Sequence, residues 1–304
     1  MQEITLRPFS LKDKGRFDKE YLKLEYPLAE HSFSWLYLWS DCYKNMQWAA
    51  INDNLCLFNT FEGTRSIWGP LFPGNKLKET LEICFDLCNN ENKRNNASQF
   101  TSLLYIPEEL KENYEKTQGF ELKEQNQDYW YRRIELIELT GERYSKKRNH
   151  RNHFVSSNSY SVEDYDREKH QAGCIELLDK WIAHKKEHVK PEYHATLSYE
   201  YDANKKGLEL AKEFGLIGIV VYVNGSIEGY SFGEKANAIV STAFFEKTNV
   251  AIRGLSVFIY CEFAKKCDTE FINAGEDWDV DYLKDIKQDY LPCMVRKSYK
   301  LEKI

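Results

Sequence analysis

The second half of the chain shows the clearest alternation of apolar and polar positions. Two apolar runs, residues 216–223 and 226–232, flank the dipeptide Asn224-Gly225. Asn-Gly between two such runs is typical of a two-residue hairpin turn, so we predict two antiparallel strands here. Two helices are predicted before the hairpin. The elements predicted after it are a strand at 238–246, a helix starting near Gly254, a strand at 270–273, a helix at 280–289 and a strand at 294–301.

The first half of the chain carries the same order of elements in a weaker pattern. Apolar residues at helical spacing, beginning at Leu77, predict a helix. Pro107 predicts the start of a short helix, because proline is favoured in the first helical turn. The other predicted elements are a helix at 32–43 and strands at 47–51, 55–61, 65–68, 100–105 and 129–136. Both halves therefore follow the order β-β-β-α-β-α-β, which predicts two α+β domains at residues 1–138 and 139–304.

This order of elements resembles the acyl-CoA N-acyltransferase (GNAT) fold. The resemblance implies two GNAT-like domains, each a mixed, mostly antiparallel sheet flanked by helices. It also implies one parallel strand pair that splays apart and admits an acyl donor beside the helix that follows the central strand. The N-terminus of such a helix presents unpaired backbone N–H groups and a positive dipole end, which suit phosphate. In the second half, the corresponding connection is residues 246–255.

Size and charge narrow the range of functions. A chain of 304 residues is too long for one typical core and about right for two. The 42 Lys and Arg residues are outnumbered by 48 Asp and Glu residues, which gives a formal net charge of −6. A protein that coats nucleic acid would normally be basic, so this balance argues against that class.

The cysteines and the apolar runs indicate the compartment. Eight cysteines are scattered along the chain without a C-x-x-C pair, which is typical of reduced cysteines. The purest apolar stretch, residues 216–223, is far shorter than the roughly 20 residues that cross a bilayer. The N-terminal residues do not have the pattern of a secretory signal. We therefore expect a cytoplasmic protein with no integral membrane segment.

A basic stretch lies at the middle of the chain. From Glu142 to His153 it holds five Lys or Arg residues against one carboxylate, with asparagines and histidines between them. On a helix, such a stretch predicts a site for an anion such as the phosphate of a donor, an RNA end or a lipid headgroup. The alternative interpretation is a solvated helix that joins the two domains.

Carboxylates form two further candidates. Glu246 ends the predicted central strand, where it is suited to act as general base or to orient an amine, or else faces solvent. Residues 276–289 contain six acidic residues and two lysines, and follow a strand. Within this acidic segment, Glu276 and Asp277 are alternatively explained as favourable charges in the first turn of the next helix. We expect the basic stretch and the acidic segment to converge on one cavity.

Other catalytic motifs are weak or missing. His184-Lys185-Lys186-Glu187-His188 matches the H-x-x-E-H pattern of zinc peptidases, but no downstream helix supplies a third ligand. We therefore predict no metal site. The sequence contains no G-x-S-x-G, Walker or dinucleotide-binding glycine pattern, so it gives no basis for an esterase, NTPase or dehydrogenase.

Several separated motifs resemble the C-terminal domain family of phosphatidylglycerol lysyltransferases. The K-K-R-N signature of that family is similar to Lys146-Lys147-Arg148-Asn149, and its Lys-Gly-aromatic helix start to Arg253-Gly254-Leu255. Its N-x-x-E-D…L-R-x-x-K-x-x-Y-x-P run resembles Asn273-x-x-Glu276-Asp277 followed by Leu283-Lys284-x-x-Lys287-x-x-Tyr290-x-Pro292. Glu200 and Glu246-Lys247 also match. The resemblance spans most of residues 144–299, and the first half fits the family's tandem arrangement more loosely.

The resemblance implies a tandem GNAT-fold protein related to enzymes that move an aminoacyl group from charged tRNA to a lipid headgroup. Glu246, Asp277 and Tyr290 are the implied catalytic residues. Those implied to bind the donor or acceptor are Lys146, Lys147, Arg148, Asn149, Asn152, Arg253, Gly254, Asn273, Glu276, Lys284 and Lys287. No cofactor is expected to be tightly bound. Aminoacyl-tRNA or acyl-CoA is the expected co-substrate, and a lipid headgroup or a small molecule is the expected acceptor.

Departures from the family pattern leave two functions open. Ala274-Gly275 stands where the family has Arg-Glu, and Lys284 replaces an arginine whose bidentate contact lysine cannot reproduce. Ala251 stands where an acetyl-CoA loop has Gln or Arg, which makes acetyl-CoA the weaker donor. The first function is acyl or aminoacyl transfer to an amine or hydroxyl. The second is a non-catalytic GNAT module that binds an anionic ligand through the basic helix.

Overall fold

A computed structural model describes residues 4–72, 76–97 and 100–304. Their strands are β1 Arg7–Pro8, β2 Lys44–Ile51, β3 Asn54–Phe61, β4 Thr64–Trp68, β5 Ser102–Pro107, β6 Phe120–Arg132, β7 Tyr160–Asp164, β8 Ile217–Val223, β9 Ser226–Lys235, β10 Val240–Thr248, β11 Phe271–Glu276 and β12 Met294–Lys303. Their α-helices are α1 Lys14–Tyr21, α2 Phe33–Leu38, α3 Leu77–Arg94, α4 Lys111–Glu115, α5 Arg133–Glu138, α6 Ser145–Ser157, α7 Arg167–His188, α8 His194–Phe214, α9 Leu255–Lys266 and α10 Asp281–Gln288.

These elements divide into two compact units. Unit 1 comprises Met1–Asp128, Glu276–Asp279 and Val295–Ile304. Unit 2 comprises Tyr129–Gly275 and Val280–Met294. This division differs from domains at residues 1–138 and 139–304, because the first segment of unit 1 ends at Asp128 and two later segments of the chain also belong to unit 1.

Unit 1 contains the last strand of the chain. Its strand order is β1-β2-β3-β4-β5-β12, with residues 120–128 of β6 beside β12. Tyr299 and Leu301 of β12 are buried with Leu103 and Ile106 of β5, against which β12 runs antiparallel. Burial of these apolar side chains explains why β12 belongs to unit 1 although it follows unit 2 in the sequence.

Unit 2 has the strand order β11-β10-β9-β8-β7, with residues 129–132 of β6 beside β11. The hairpin β8–β9 turns at Asn224 and Gly225, both with positive φ, as the Asn-Gly dipeptide predicts. Apolar residues of α9 pack on these strands. The core of unit 2 includes Phe258, Ile259 and Phe263 from α9.

Two parallel strands of unit 2 diverge. β10 and β11 pair in parallel at three positions, from Val240 with Phe271 to Thr242 with Asn273. β10 then continues to Thr248 with a register shift between Ala243 and Phe245, where it pairs with β9 alone. After Thr242 the two strands are no longer paired, as in the splayed pair that the resemblance implies. Helix α9 begins seven residues after β10 ends.

One predicted element is wrong. The alternation of Ile134 and Leu136 with polar residues predicts a strand at 129–136, but β6 ends at Arg132 and the next six residues form α5. Arg151 and Arg148 donate hydrogen bonds to the carbonyl oxygens of Ile137 and Leu139 at the end of α5. The donors of these bonds lie on α6, outside the segment itself. The spacing of apolar residues within the segment therefore does not reveal that its end is stabilised as a helix.

The predicted α+β fold class, with mixed sheets flanked by helices, is confirmed. Unit 1 contains one parallel pair, β4–β5, within otherwise antiparallel neighbours β1 to β5, and unit 2 contains the pair β10–β11. The eight cysteines are all described and all free, in agreement with reduced cysteines.

Candidate functional site

The start of α9 and the basic helix α6 form one surface in unit 2. Gly254, immediately before α9, has φ +86°, a conformation that favours glycine. A Cβ atom at Gly254 would lie 2.1 Å from the carbonyl oxygen of His150. The backbone of α6 therefore packs directly against the N-terminus of α9, which is the positive end of that helix dipole.

Basic side chains collect on this surface. The pKa of His150 is lowered by partial desolvation and then by the positive charges of Arg253, Lys146 and Lys147. Because three cations act on His150, the electrostatic potential of the surface around it is positive. An anion bound here would reduce the repulsion between these charges.

Other residues of α6 have different surroundings. The Nη1 atom of Arg148 donates to the carbonyl oxygens of Leu139 at 2.6 Å and Gly141 at 2.9 Å. This guanidinium therefore caps the chain after α5 and is not part of the basic surface around His150. Asn149 and Asn152 are exposed on α6, and Asn152 accepts long hydrogen bonds of 3.4 Å from Arg151.

Glu246 lies on β10 and faces the start of α9. The hydroxyl of Ser256, in the first turn of α9, donates a 2.7 Å hydrogen bond to Glu246 Oε1. Burial raises the pKa of Glu246 to about 7, although Ser256, Lys247 and Lys147 each lower it. A carboxyl with this pKa is present in both protonation states near neutral pH, as a general base requires.

Lys147 connects the basic helix with the C-terminal end of the acidic segment. Its Nζ atom lies 3.5 Å from Asp289 Oδ2 and 4.0 Å from the centre of the Tyr290 ring. Burial lowers the pKa of Lys147, and Asp289 raises it. Burial raises the pKa of Tyr290, so its hydroxyl keeps its proton and can donate a hydrogen bond.

The diverging strand β11 is supported by polar side chains. Asn273 is buried, and its Oδ1 atom accepts a 2.8 Å hydrogen bond from the backbone N–H of Gly275. Lys287 Nζ donates hydrogen bonds to the carbonyl oxygens of Ala274 and Gly275. Lys287 thus satisfies backbone groups of β11, whereas Lys284 is exposed on α10.

The two acidic residues of the motif, Glu276 at the end of β11 and Asp277 directly after it, belong to unit 1. Glu276 accepts a hydrogen bond from Asn126 Nδ2, and both residues are in unit 1. Asp277 Oδ1 accepts a 3.0 Å hydrogen bond from the backbone N–H of Asp279. The roles implied for Glu276 and Asp277 stay predictions.

A family comparison covers nearly the whole chain. The model of the phosphatidylglycerol lysyltransferase C-terminal family matches residues 24–300. The chain belongs to this family. Searched against the curated proteins, the sequence finds no match.

Solved structures agree with the family in fold. A conserved protein of unknown function from Bacteroides thetaiotaomicron has 23% sequence identity and a TM-score of 0.87, covering 99% of this chain and 100% of that one. L-PGS from Bacillus licheniformis has 13% identity and a TM-score of 0.66, covering 98% and 93%. At identities this low, the structural similarity establishes a shared fold alone.

Two side chains near Glu246 lie outside the motifs described above. Ser256 is the hydrogen-bond donor described above. Tyr260, one helical turn further along α9, has a buried hydroxyl without a hydrogen-bond partner in the described part of the chain. Its ring lies 5.0 Å from that of Tyr290. The spacing of four residues between Ser256 and Tyr260, on one helix face, is the signal that could have found both.

Lys247 points to the other face of β10, because successive side chains alternate along a strand. Its Nζ atom lies 2.7 Å from Glu200 Oε1 and 4.3 Å from the Trp181 ring centre. The family match at Glu200 and Glu246-Lys247 therefore includes a buried ion pair. A partner for buried Lys247 is a structural requirement, since an unpaired buried charge is costly.

The described residues provide neither a metal-binding cluster nor a membrane-spanning helix. No three His, Cys, Asp or Glu side chains among them are grouped to hold a metal ion. The His184 and His188 rings lie on α7 with their centres 4.2 Å apart and their planes tilted by 36°. None of the described helices combines the length and the apolar character needed to span a membrane.

Proposed function

We propose that this protein is an acyltransferase that moves an acyl or aminoacyl group from an anionic donor to an amine or hydroxyl acceptor. Family membership supports the transferase class. The observation that carries the proposal is the Glu246 carboxyl, with its pKa raised to about 7, beside the positively charged start of α9.

The donor is an aminoacyl-tRNA or an acyl-CoA. Both carry phosphates, which the basic side chains Lys146, Lys147 and Arg253 would attract. The backbone N–H groups at the start of α9 add neutral hydrogen-bond donors for the same phosphates. These contacts position the ester or thioester, and positioning lowers the barrier by making the attack effectively unimolecular.

The chemistry requires one proton acceptor. Glu246 takes the proton from the acceptor amine or hydroxyl as its nitrogen or oxygen forms a bond to the acyl carbon. The resulting oxyanion is stabilised by the positive potential of Lys147. The bond from the acyl carbon to the tRNA oxygen or CoA sulfur then breaks, and the leaving group receives the proton from Glu246. Tyr290, whose hydroxyl keeps its proton, donates a hydrogen bond to the departing oxygen or sulfur while Glu246 supplies the proton.

The test is a transfer assay with purified protein, a panel of charged tRNAs and acyl-CoAs, and lipid and small-molecule acceptors. Glu246→Gln keeps the size of the side chain but removes the base, so we expect turnover to fall by about 10²–10⁴-fold. Glu176→Gln, which changes an exposed carboxylate paired with Lys180, is the matched control. Asp277→Asn tests the second implied carboxylate. Equal turnover in wild type and Glu246→Gln would exclude the assigned base.

A non-catalytic binding module is the second candidate. Arg148 and Lys287, both implied to bind substrate, instead donate to backbone carbonyl oxygens. Because these two side chains are used in hydrogen bonds that support the backbone, fewer side chains remain to bind a substrate for catalysis, which favours a binding module. Under this alternative the protein binds tRNA or CoA through Lys146 and Arg253, and no donor in the panel is turned over.

A further inference from the structure

A cavity of about 320 Å³ lies in unit 1, remote in sequence from the proposed base. Its apolar wall is formed by Leu6, Phe58 of β3 and Leu87 of α3. The polar part of the lining consists of Arg65 of β4 and of Asn90, Glu91 and Arg94 of α3. The volume corresponds to about ten water molecules, which is enough for a small organic molecule.

The Arg65 guanidinium is buried at the polar side of this cavity with only 1% of the residue exposed. Its Nη1 atom donates to the carbonyl oxygen of Asn45 and, at 3.4 Å, to Thr60 Oγ1. Its Nη2 atom donates at 2.7 Å to Gln47 Oε1. Since a guanidinium carries five N–H groups, these three bonds leave the Nε–H and one Nη2–H.

The two remaining N–H groups have no hydrogen-bond acceptor in residues 4–72, 76–97 and 100–304. The nearest carboxylate oxygen, Glu91 Oε2, lies 3.6 Å from Nε, which is an ion pair without a hydrogen bond. One N–H on Nε and one on Nη2 are the pair that binds a planar oxyanion in a bidentate manner.

Arg65 is also held in place by its backbone. Asn92 of α3 accepts a 2.6 Å hydrogen bond from the Arg65 N–H and donates a 2.9 Å bond to its carbonyl oxygen. Both backbone groups are thus fixed by one side chain, which sets where the guanidinium lies. A donor held in position before binding loses little entropy when a ligand arrives.

The charges of the cavity are unbalanced. Arg65 and Arg94 provide two positive charges in the lining, and Glu91 provides one negative charge. We propose that this cavity binds a small organic carboxylate, whose oxygens accept hydrogen bonds from Arg65 and whose apolar body packs on Leu6, Phe58 and Leu87. This site is independent of the proposed acyl transfer.

Isothermal titration calorimetry of the full chain with hexanoate tests the proposal. Hexylamine and hexanol have the same apolar body without the negative charge, and inorganic phosphate has the charge without the apolar body. We expect saturable binding of hexanoate and at least about tenfold weaker binding of the other three probes. Phosphate binding as tightly as hexanoate would overturn the carboxylate assignment.

Two variants act in opposite directions. Arg65→Lys keeps the charge but removes the bidentate geometry, so we expect hexanoate to bind at least about tenfold more weakly. Glu91→Gln removes the nearby carboxylate and is expected to tighten hexanoate binding severalfold. Because Glu91 is partly exposed, this variant tests the site even if Arg65→Lys does not fold. No saturable binding to wild type, or unchanged binding in Glu91→Gln, would overturn the proposal.

Discussion

The parallel strand pairs β4–β5 of unit 1 and β10–β11 of unit 2 end in different surroundings. In unit 1, the end of β4 beside β5 is filled by rings: Trp68 lies 4.5 Å from Tyr105 and 4.8 Å from Tyr43. The buried His31 ring is hydrogen-bonded at 2.7 Å to the carbonyl oxygen of Tyr105. In unit 2, the end of β10 carries Glu246, which faces the first turn of α9.

This difference shows that a splayed parallel pair does not by itself place a titratable side chain at its end. Packed aromatic rings and a neutral histidine stabilise unit 1, and burial lowers the pKa of His31 to about 4. In unit 2, burial acts on a carboxyl that is close to the cation Lys147 and raises its pKa toward neutrality. The type of residue at the end of the parallel pair therefore decides the effect of burial: aromatic rings form a packed core, whereas a carboxyl becomes a group that titrates near neutral pH.

The largest expected effect on stability tests the packed role of unit 1. Trp68→Ala removes a ring that is 1% exposed and whose Nε1 donates to the carbonyl oxygen of Glu30. We expect the free energy of unfolding in urea to fall by about 3–5 kcal/mol. Trp278→Ala, at a ring 36% exposed in the same unit, is the control and should lose far less. Similar losses would mean that the ring cluster is not a tightly packed core.

The next effect concerns the contact between α6 and α9. Gly254→Ala adds a Cβ atom 2.1 Å from the His150 carbonyl oxygen at a residue with positive φ. We expect the unfolding free energy, measured in urea, to fall by more than the roughly 1–3 kcal/mol that positive φ alone costs, and anion binding to weaken. Gly225→Ala has φ +88° but open space around the added atom, so it isolates the cost of the backbone conformation. Equal losses in both variants would contradict the close packing.

A pH dependence distinguishes the titratable unit from the packed one. With a pKa of about 7 for Glu246, the transfer rate should fall about tenfold per pH unit below 7 and reach a plateau above it. The free energy of unfolding should instead decrease as the pH rises. The folded carboxyl has a higher pKa than the unfolded one, so the folded state binds more protons between about pH 4.5 and 7, and stability falls as pH rises there.

Glu246→Gln provides the check on this assignment. The variant has no titratable group at this position, so its unfolding free energy should lose that part of the pH dependence and exceed the wild-type value above pH 7. Urea unfolding at several pH values measures both effects. A rate profile of wild type that is flat from pH 6 to 8 would contradict the raised pKa.

The smallest expected effect is a shift in one histidine. Binding of inorganic phosphate near α6 should raise the pKa of His150, because an anion offsets the cations that lower it. We expect a change below about one pH unit in an NMR titration. His31, buried in unit 1, serves as the internal control and should not respond. An unchanged His150 would place the phosphate elsewhere.

Local sequence patterns predicted most elements but not their grouping. The Asn224-Gly225 turn and the helix after Gly254 followed from short-range rules, because turns and periodic faces depend on neighbouring residues. The prediction of a strand at 129–136 was wrong beyond Arg132, because the end of α5 depends on Arg148 and Arg151, which follow it in the chain. The Arg65 cavity was not predicted, since its lining joins strands β3 and β4 to α3.

The sequence by itself determined the α+β class, the family motifs and the candidate residues Lys147, Glu246 and Tyr290. Tertiary structure alone decided that β12 belongs to unit 1, that Arg148 caps a helix end and that Ser256 bonds to Glu246. Periodicity is read within a few residues, whereas burial, the pKa shift that follows from it and the choice of hydrogen-bond partner depend on residues that only folding brings together.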